Sequence, residues 1–587
     1  MNRRYRKSIA LLVPGVRFLR SYSLSLFRAD LQAGLTVAVF AVPQVMAYAM
    51  LAGLAPVNGL YTVIVASMVA AIWGSSPYVS TGPSNSAALL TAAAIAPFAG
   101  GGDPMKTVFV FGLLIGLIRL VLGLARAGTL VDFVSESAML GFTVAVGVLI
   151  ALGQLHHFLG VELVPNYWFV LKVANTLAQV GQANVGAILI ASGTLALMTG
   201  LNRYSKRFPV ALTAIVLATV CAELMENIYT VPRVRDIAVV HPGLPAFRVY
   251  TVSWEEIWTM LPIAFAAALI GLIEVVAIAQ VFGTKHGRRV HENQEFIGQG
   301  MSQLVASFFQ GIPCSGSFSR SALLEHTGVR TRFGNLFFGV CMAASLIFFA
   351  RWFNFIPIAA LAGLLLFIGF KLIDVRGVRR VWNTSRPDSV VMMITFLVAI
   401  FVHLEYGLFA GIIASLVIFL SRARKLRVYE LVPGENAQFR EIEYDGLGPH
   451  ERSEIVALSV HGDLFFGLSQ LLHRQLRQIL GQQCPRYIIL LMGRTHSIDY
   501  SCWNVLFSIG DELERSGGKL LVCEAKPEVA GMFGKGAMDR KLPASQIFPL
   551  DVGPYHALRK AAAFAYEGLG SNAYLSPAWK EHLSSEG

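Results

Sequence analysis

Long apolar segments recur along most of this chain, and they leave few folding choices. In lipid every backbone N–H and C=O must be satisfied internally, so such segments become helices or a closed barrel. At 16 to 28 residues these runs suit helices, not barrel strands. Roughly, they cover 30–52, 56–74, 78–98, 105–124, 132–159, 183–200, 208–226, 257–283, 293–311, 314–329, 333–351, 354–373, 388–403 and 405–421. That is fourteen candidate spans in two groups of seven. An odd number per group inverts the second relative to the first, an architecture of inverted-topology repeats. The repeats run over about 30–226 and 257–421.

Charge supports this topology. With a cytoplasmic N-terminal segment 1–29 (Arg3, Arg4, Arg6, Lys7, Arg17, Arg20, Arg28), alternate loops should be basic. Arg119 and Arg126, then Arg203, Lys206 and Arg207, then Lys285, Arg288 and Arg289, then Arg330 and Arg332 are placed on that side. So are Lys371, Arg376, Arg379, Arg380, Arg386, Arg422, Arg424, Lys425 and Arg427. Lys106 and Arg351 are the nearest exceptions. The net charge of +12 is thus explained by membrane topology, and no nucleic-acid partner is expected. Both termini are expected in the cytoplasm of a cell-membrane protein. The N-terminal segment lacks the uninterrupted apolar run of a cleavable signal.

Two segments break the apolar pattern in corresponding places. Ile312-Pro-Cys-Ser-Gly-Ser-Phe-Ser-Arg-Ser321 is small, polar and carries Arg320, and Ser319–His326 reads as the start of a helix. Pro77-Tyr-Val-Ser-Thr-Gly-Pro-Ser-Asn-Ser86 likewise runs from an extended stretch into a helix. An arginine at bilayer depth costs at least ~2.5–3.5 kcal/mol and marks function by default. Paired broken helices in two halves point to a transport substrate site, and helix N-termini with Arg320 suit an anion. The alternative for Arg320 is an acidic partner that only holds the fold. For Ser84 it is a plain helix cap, which is compatible with an anion using the remaining N–H groups. Gln44 and Tyr48 are one turn apart and share a helix face. Glu274 is the carboxylate deep in its span, and either titrates during transport or pairs with Arg320. His156 and His157, adjacent on a helix, are expected on different faces, and Asp132, Glu136 and Glu325 near interfaces. The six cysteines show neither C-x-x-C nor zinc spacing, and there is no P-loop or catalytic triad, so no metal, cofactor or enzymatic activity is expected.

After Arg427 the pattern changes to alternating strands and helices: strands at Ile455–His461, Tyr487–Met492 and Lys519–Cys523, helices at Phe466–Leu480, Tyr500–Arg515 and Val529–Met538. This predicts an α/β domain over 430–570, cytoplasmic by topology, with a tail at 571–587.

The chain resembles the sulfate permease (SulP) family, kin of the animal solute carriers that include prestin and pendrin. The residues that carry the resemblance are Pro43-Gln44, Ala47-Tyr48-Ala49, Leu54-Ala-Pro-Val-Asn-Gly-Leu-Tyr61, Thr81-Gly82-Pro83, Glu274, Asn293-Gln294-Glu295, Gly298-Gln299-Gly300 and Ser317-Phe318-Ser319-Arg320-Ser321. The C-terminal domain resembles a STAS domain. The resemblance implies an all-α transport domain of core and gate over 30–425, working by alternating access, with the STAS domain behind it. It implies an inorganic-anion site, sulfate by family default, at Gln44, Tyr48, Thr81, Ser84, Ser317, Phe318, Ser319 and Arg320, with protons coupled through Glu274. Bicarbonate, chloride or a dicarboxylate are alternative substrates, and an anion sensor or scaffold is an alternative class. A homodimer and a protein partner for the STAS domain are also implied. Ser501 matches the phosphorylated serine of anti-sigma-factor antagonists, although Tyr500 and Cys502 replace small residues there.

Overall fold

The structure is a computed structural model. It describes residues 22–98, 103–129, 134–164, 168–204, 210–287, 289–424, 426–433, 439–443, 453–527, 529–530, 542–550, 555–570 and 579, apart from the side chains of residues 204, 284, 405, 423 and 544. Residues 1–21, Asp132, Lys206, Arg207, Arg288, Lys425 and most of 529–538 and 571–587 lie outside it. The chain divides into two compact units, Met1–Leu416 and Val417–Gly587.

In the first unit, α1 (Leu24–Leu51) and α2 (Pro56–Trp73) lead to a short strand β1 (Thr81–Pro83) and helix α3 (Asn85–Ile95). Then come α4 (Pro104–Leu124), α5 (Glu136–Gly153), α6 (Phe169–Ala178), α7 (Val185–Tyr204) and α8 (Val210–Leu224). The second half opens with α9 (Trp254–Lys285) and α10 (Glu292–Phe308), then β2 (Cys314–Gly316) and α11 (Phe318–His326). It closes with α12 (Phe333–Phe353), α13 (Ile358–Leu372), α14 (Val375–Thr384), α15 (Arg386–Phe401) and α16 (Leu404–Ala423). Among the described residues, eight helices are long and apolar enough to cross a membrane, and four apolar helices are shorter. The membrane unit is thus mostly helical, and a count by helix length alone does not reach every expected span. The difference is physical: the two broken spans are short strands followed by helices of 11 and 9 residues. The amphipathic α6 and α14 fall between the apolar runs.

Packing sorts these helices. α10 lies along α4 and α2, α12 along α1 and α2, and α9 along α4. Separately, α13 lies along α5 and α7, α15 along α5, and α8 along α7. Alanine is the commonest residue of this core, and Gly34, Gly116 and Gly300 lie against the backbone of neighbouring helices, which lets helix axes approach closely.

Buried carboxylates tie distant turns to this frame. Asp30 on α1 is fully buried. It accepts from the Arg330 and Thr331 N–H groups at 2.8 and 3.0 Å, from the Thr331 hydroxyl at 2.5 Å and from Tyr22 at 2.9 Å. Glu295 on α10 does the same for the turn after α2, accepting from the Ser75 N–H at 2.8 Å, the Ser75 hydroxyl at 2.6 Å and the Ser76 N–H.

The second unit is a sheet ordered β4-β3-β5-β6-β7-β8, with β3 (Arg427–Pro433), β4 (Phe439–Glu443), β5 (Ile455–His461), β6 (Tyr487–Leu491), β7 (Lys519–Cys523) and β8 (Ile547–Phe548). β3 is antiparallel to β4 and β5, and the remaining pairs are parallel. Strand alternation splits the core. Val456, Leu458, Val460, Ile488, Leu490 and Leu520 face α17 (Ser469–Gln483) and α18 (Tyr500–Arg515). Ile455, Ala457, Ile489, Leu491 and Leu521 face α19 (His556–Leu569). This explains why β5 and β6 read as unbroken apolar runs: both faces are covered.

Replacing Asp30 with Ala strands the buried Thr331 N–H, at about 1–3 kcal/mol, and frees the part-buried Arg330 N–H. D30A is expected to lower the apparent melting temperature in detergent clearly. D30N, which keeps one acceptor oxygen, should fall between D30A and the wild type.

Candidate functional site

The two breaks in the helical pattern meet. β1 and β2 pair antiparallel, with Thr81 opposite Gly316, Gly82 opposite Ser315 and Pro83 opposite Cys314. The extended chain on either side is satisfied by side chains. Asn335 donates to the Val79 carbonyl at 2.7 Å, the Ser80 N–H donates to the Ser321 hydroxyl at 2.8 Å, and the Ser317 N–H donates to the Ser80 carbonyl at 3.0 Å. The Ile312 N–H donates to Thr62 at 2.8 Å and the Cys314 N–H to Gln303 at 2.7 Å. Non-helical backbone can therefore sit inside the bundle.

Each strand feeds a helix. Ser84 caps α3, its hydroxyl accepting from the Ala87 N–H at 3.3 Å. Ser317 stands at the N-cap of α11 and makes no side-chain cap. The first N–H groups of a helix have no intrahelical acceptor, so those of Phe318, Ser319 and Arg320 remain available, together with the positive end of the helix dipole.

Arg320 is the most consequential side chain here. It is fully buried, and its Nη2 donates to the Pro83 carbonyl at 2.9 Å. Its Nε and Nη1 have no partner among the described residues. Gly82 makes room for it: a Cβ there would lie 3.2 Å from Nη2. Gln44, also buried, donates to the Tyr48 hydroxyl at 3.0 Å and to Ser319 at 3.5 Å, while its Oε1 is unpartnered. Ser317 and Ser319 hydroxyls lie 3.3 Å apart. Buried polar atoms are almost always hydrogen-bonded, so unpaired guanidinium N–H groups beside a helix N-terminus point to an anionic ligand.

Glu274 does not pair with Arg320. It accepts from Ser86 in the first turn of α3 at 2.5 Å and from Ser315 in β2 at 2.9 Å. The Ser84 and Ser86 hydroxyls lie 3.2 Å apart, which links the carboxylate to the α3 cap.

Of the residues singled out from sequence, Gln44, Tyr48, Ser84, Ser317, Ser319, Arg320 and Glu274 gather around the paired breaks. Thr81 lies in β1, its hydroxyl accepting from Gln299 at 2.8 Å. Phe318 is exposed, with its ring 5.5 Å from that of Phe282. Ser501 lies apart in the second unit, in the first turn of α18, which Asp499 caps by accepting from the Cys502 N–H at 2.9 Å. Burial and the neighbouring Asp499 push the Cys502 thiol up to about 12, so it stays protonated. It donates to the Phe465 carbonyl at 3.2 Å, a packing role.

Two expectations are corrected. Arg119, counted from sequence among the loop charges, is buried within α4, and its guanidinium reaches the carbonyl of Cys314. The apolar run 105–124 contains Arg119, but counting charges by side of the membrane says nothing of burial. His156 and His157 do touch, with ring centroids 3.9 Å apart, because their helix is a single turn, Leu155–Leu159. Ser86 and Ser315 were missed, since a serine near a helix start reads as a cap until the fold brings it to a carboxylate.

The pattern of the sulfate permease family matches residues 27–395, and that of the STAS domain matches 449–549. YvdB of Bacillus subtilis, a protein named as a sulfate transporter, is 26% identical over 532 residues, spanning 90% of this chain and 97% of that one. The chloroplastic sulfate transporter 4.1 of Arabidopsis thaliana is 28% identical over 554 residues, 90% of this chain and 80% of its own. The fold is similar to that of the murine solute carrier 26 family member A9 anion transporter in its inward-facing state. The TM-score is 0.82 at 20% identity, covering 94% of each chain. The chain therefore belongs to the sulfate permease family: it is a multi-pass membrane transporter with a C-terminal STAS domain, and not an enzyme.

Proposed function

We propose that this chain is a secondary active transporter of an inorganic anion, sulfate, driven by protons. The observation that carries the reading is Arg320, buried at the N-terminus of α11 with two guanidinium nitrogens unpartnered. The anion binds between the first turns of α3 and α11. Arg320, the serine hydroxyls of Ser84, Ser317 and Ser319 and the free helix N–H groups would hold it, with Gln44 and Tyr48 lining the site. Thr81 supports the site through β1, and Phe318 borders it. The names of the similar proteins support sulfate over bicarbonate, chloride or a dicarboxylate.

Transport follows alternating access between a core, which carries both breaks, and a gate of α5, α7, α8, α13, α15 and α16. The antiparallel β1–β2 pairing supports two inverted repeats of seven spans each. The remaining readings go with this one: a cell-membrane location with both termini in the cytoplasm, a homodimer with its STAS domains at the cytoplasmic side, and Ser501 as a regulatory position. Native mass in mild detergent decides the dimer.

Glu274 is the proton carrier in this scheme. It is held by one serine from each break, so its charge is felt where the anion sits. Protonation removes a negative charge beside the substrate, so proton and anion binding strengthen each other reciprocally. Sulfate affinity rises as pH falls.

R320A removes charge-assisted contacts, each about 1.5–3 kcal/mol, and is expected to weaken sulfate binding about ten- to a hundredfold in a titration of the purified protein. Wild-type affinity in R320A sinks the site. In proteoliposomes, E274Q should still exchange sulfate but lose stimulation by an inward proton gradient. Full gradient-driven accumulation in E274Q removes Glu274 as the coupling group. Parallel uptake of sulfate, bicarbonate, chloride and succinate decides the substrate.

A further inference from the structure

A second buried arginine stands behind the strand pair. Arg119, on α4, is 1% exposed. Its Nη1 donates to the Cys314 carbonyl at 2.6 Å, its Nη2 to the Ala267 carbonyl at 3.3 Å and its Nε to the Ala268 carbonyl at 3.4 Å. All three acceptors are neutral. Cys314 is the register partner of Pro83, whose carbonyl accepts from Arg320. The two guanidinium groups thus grip the two members of one strand pair. Glu274 is within electrostatic reach of both arginines, and Ser315, the residue after Cys314, lies 2.9 Å from its Oε2 and 3.1 Å from the Gly271 carbonyl. A Cβ at position 271 would sit 1.9 Å from Arg119 Nη2, so only glycine lets the guanidinium enter α9 there.

The Ala267 and Ala268 carbonyls lie inside α9 and are served by helix N–H groups four residues on, and Cys314 faces Pro83, which has no N–H, so a neutral donor would meet the one carbonyl that lacks a backbone partner there. Arg119 adds a fixed charge that these carbonyls do not cancel. Around the breaks the ionisable groups are Arg119 on α4, Arg320 on α11, Glu274 on α9, Tyr48 on α1 and Cys314 on β2. With Tyr48 and Cys314 neutral, two arginines and an ionised Glu274 leave one net positive charge. Protonating Glu274 leaves two. Without Arg119 the same states would carry none and one. Interaction energy scales with the product of the charges, so a dianion gains twice what a monoanion gains from each fixed positive charge.

We propose that Arg119 is a positioning residue that sets the valence preference of the site: held by three carbonyls and touching no substrate, it ties β2 to α9 and biases binding toward doubly charged anions. This rests on the breaks being the anion site, as proposed above.

The test is equilibrium binding of sulfate and of chloride to the purified full-length protein at constant ionic strength, comparing wild type, R119Q, R119K and R320A. R119Q keeps an amide donor without the charge, and R119K keeps the charge with different donors. The sulfate-to-chloride affinity ratio should fall by at least about tenfold in R119Q and stay within roughly threefold of wild type in R119K. A purely structural role would weaken both anions in parallel. An unchanged ratio in R119Q overturns the proposal, and so does an equal loss of ratio in R119K. If R119Q does not yield folded protein, R119Q/E274Q is compared with E274Q, where no buried carboxylate is left uncompensated. The ratio must again fall about tenfold, and an unchanged ratio overturns the proposal. Loss of both anions in R320A, with the ratio intact in R119Q, removes this proposal alone. Wild-type binding in R320A removes the anion site and this proposal together.

Discussion

The antiparallel pairing of Thr81–Pro83 with Cys314–Gly316 is the interaction on which the membrane unit depends. Within a bilayer an unsatisfied backbone group costs several kcal/mol, and two interrupted helices would each carry several. Pairing the interruptions with each other solves both problems at once. It also fixes the direction of the two following helices, so that their N-terminal ends come to one place. The geometry that makes the backbone tolerable is the geometry that the proposed anion site uses.

The polar side chains nearby fall into two roles. Thr62, Gln303, Asn335 and Ser321 complete the hydrogen bonding of the extended chain and Gln299 that of the Thr81 hydroxyl, although Gln299 Oε1 and Asn335 Oδ1 stay unpartnered among the described residues. Gln44 and Arg320 keep capacity in reserve, with Gln44 Oε1 and Arg320 Nε and Nη1 unpartnered. A buried network in which most groups are satisfied and a few are not directs the unsatisfied ones toward a ligand. Glu274 is satisfied, but by two serine hydroxyls that can donate to a carboxylate or turn to serve its protonated form.

Much of this was legible in the chain. Arg320 in a Ser/Gly-rich break, the matching break before Ser84, and the shared face of Gln44 and Tyr48 could be read directly, because polar residues at bilayer depth stand out against apolar runs. The strand pairing could not: three residues have too little alternation to announce a strand, and their partner is more than two hundred residues away. Arg119 lies inside the expected span 105–124, but the charge pattern reads only a side of the membrane and not whether the side chain is buried in the bundle. The amphipathic α6 and α14 fell between apolar runs. In the second unit, β5, β6 and β7 were visible because both of their faces are covered. β3 and β4, at the antiparallel edge, and the alanine-lined α19 gave weaker patterns.

The pairing across the two halves also sets an order of events during synthesis. β1 is complete at Pro83, but its partner begins at Cys314. At about 5–20 residues per second, some tens of seconds separate the emergence of the two strands. For that interval the first broken helix must wait in or beside the membrane with its backbone edge unserved, screened by water, lipid headgroups or the insertion machinery. The strand pair thus cannot exist as a half, and neither can the anion site proposed beside it: both wait for Cys314–Gly316 to arrive and close the edge of Thr81–Pro83.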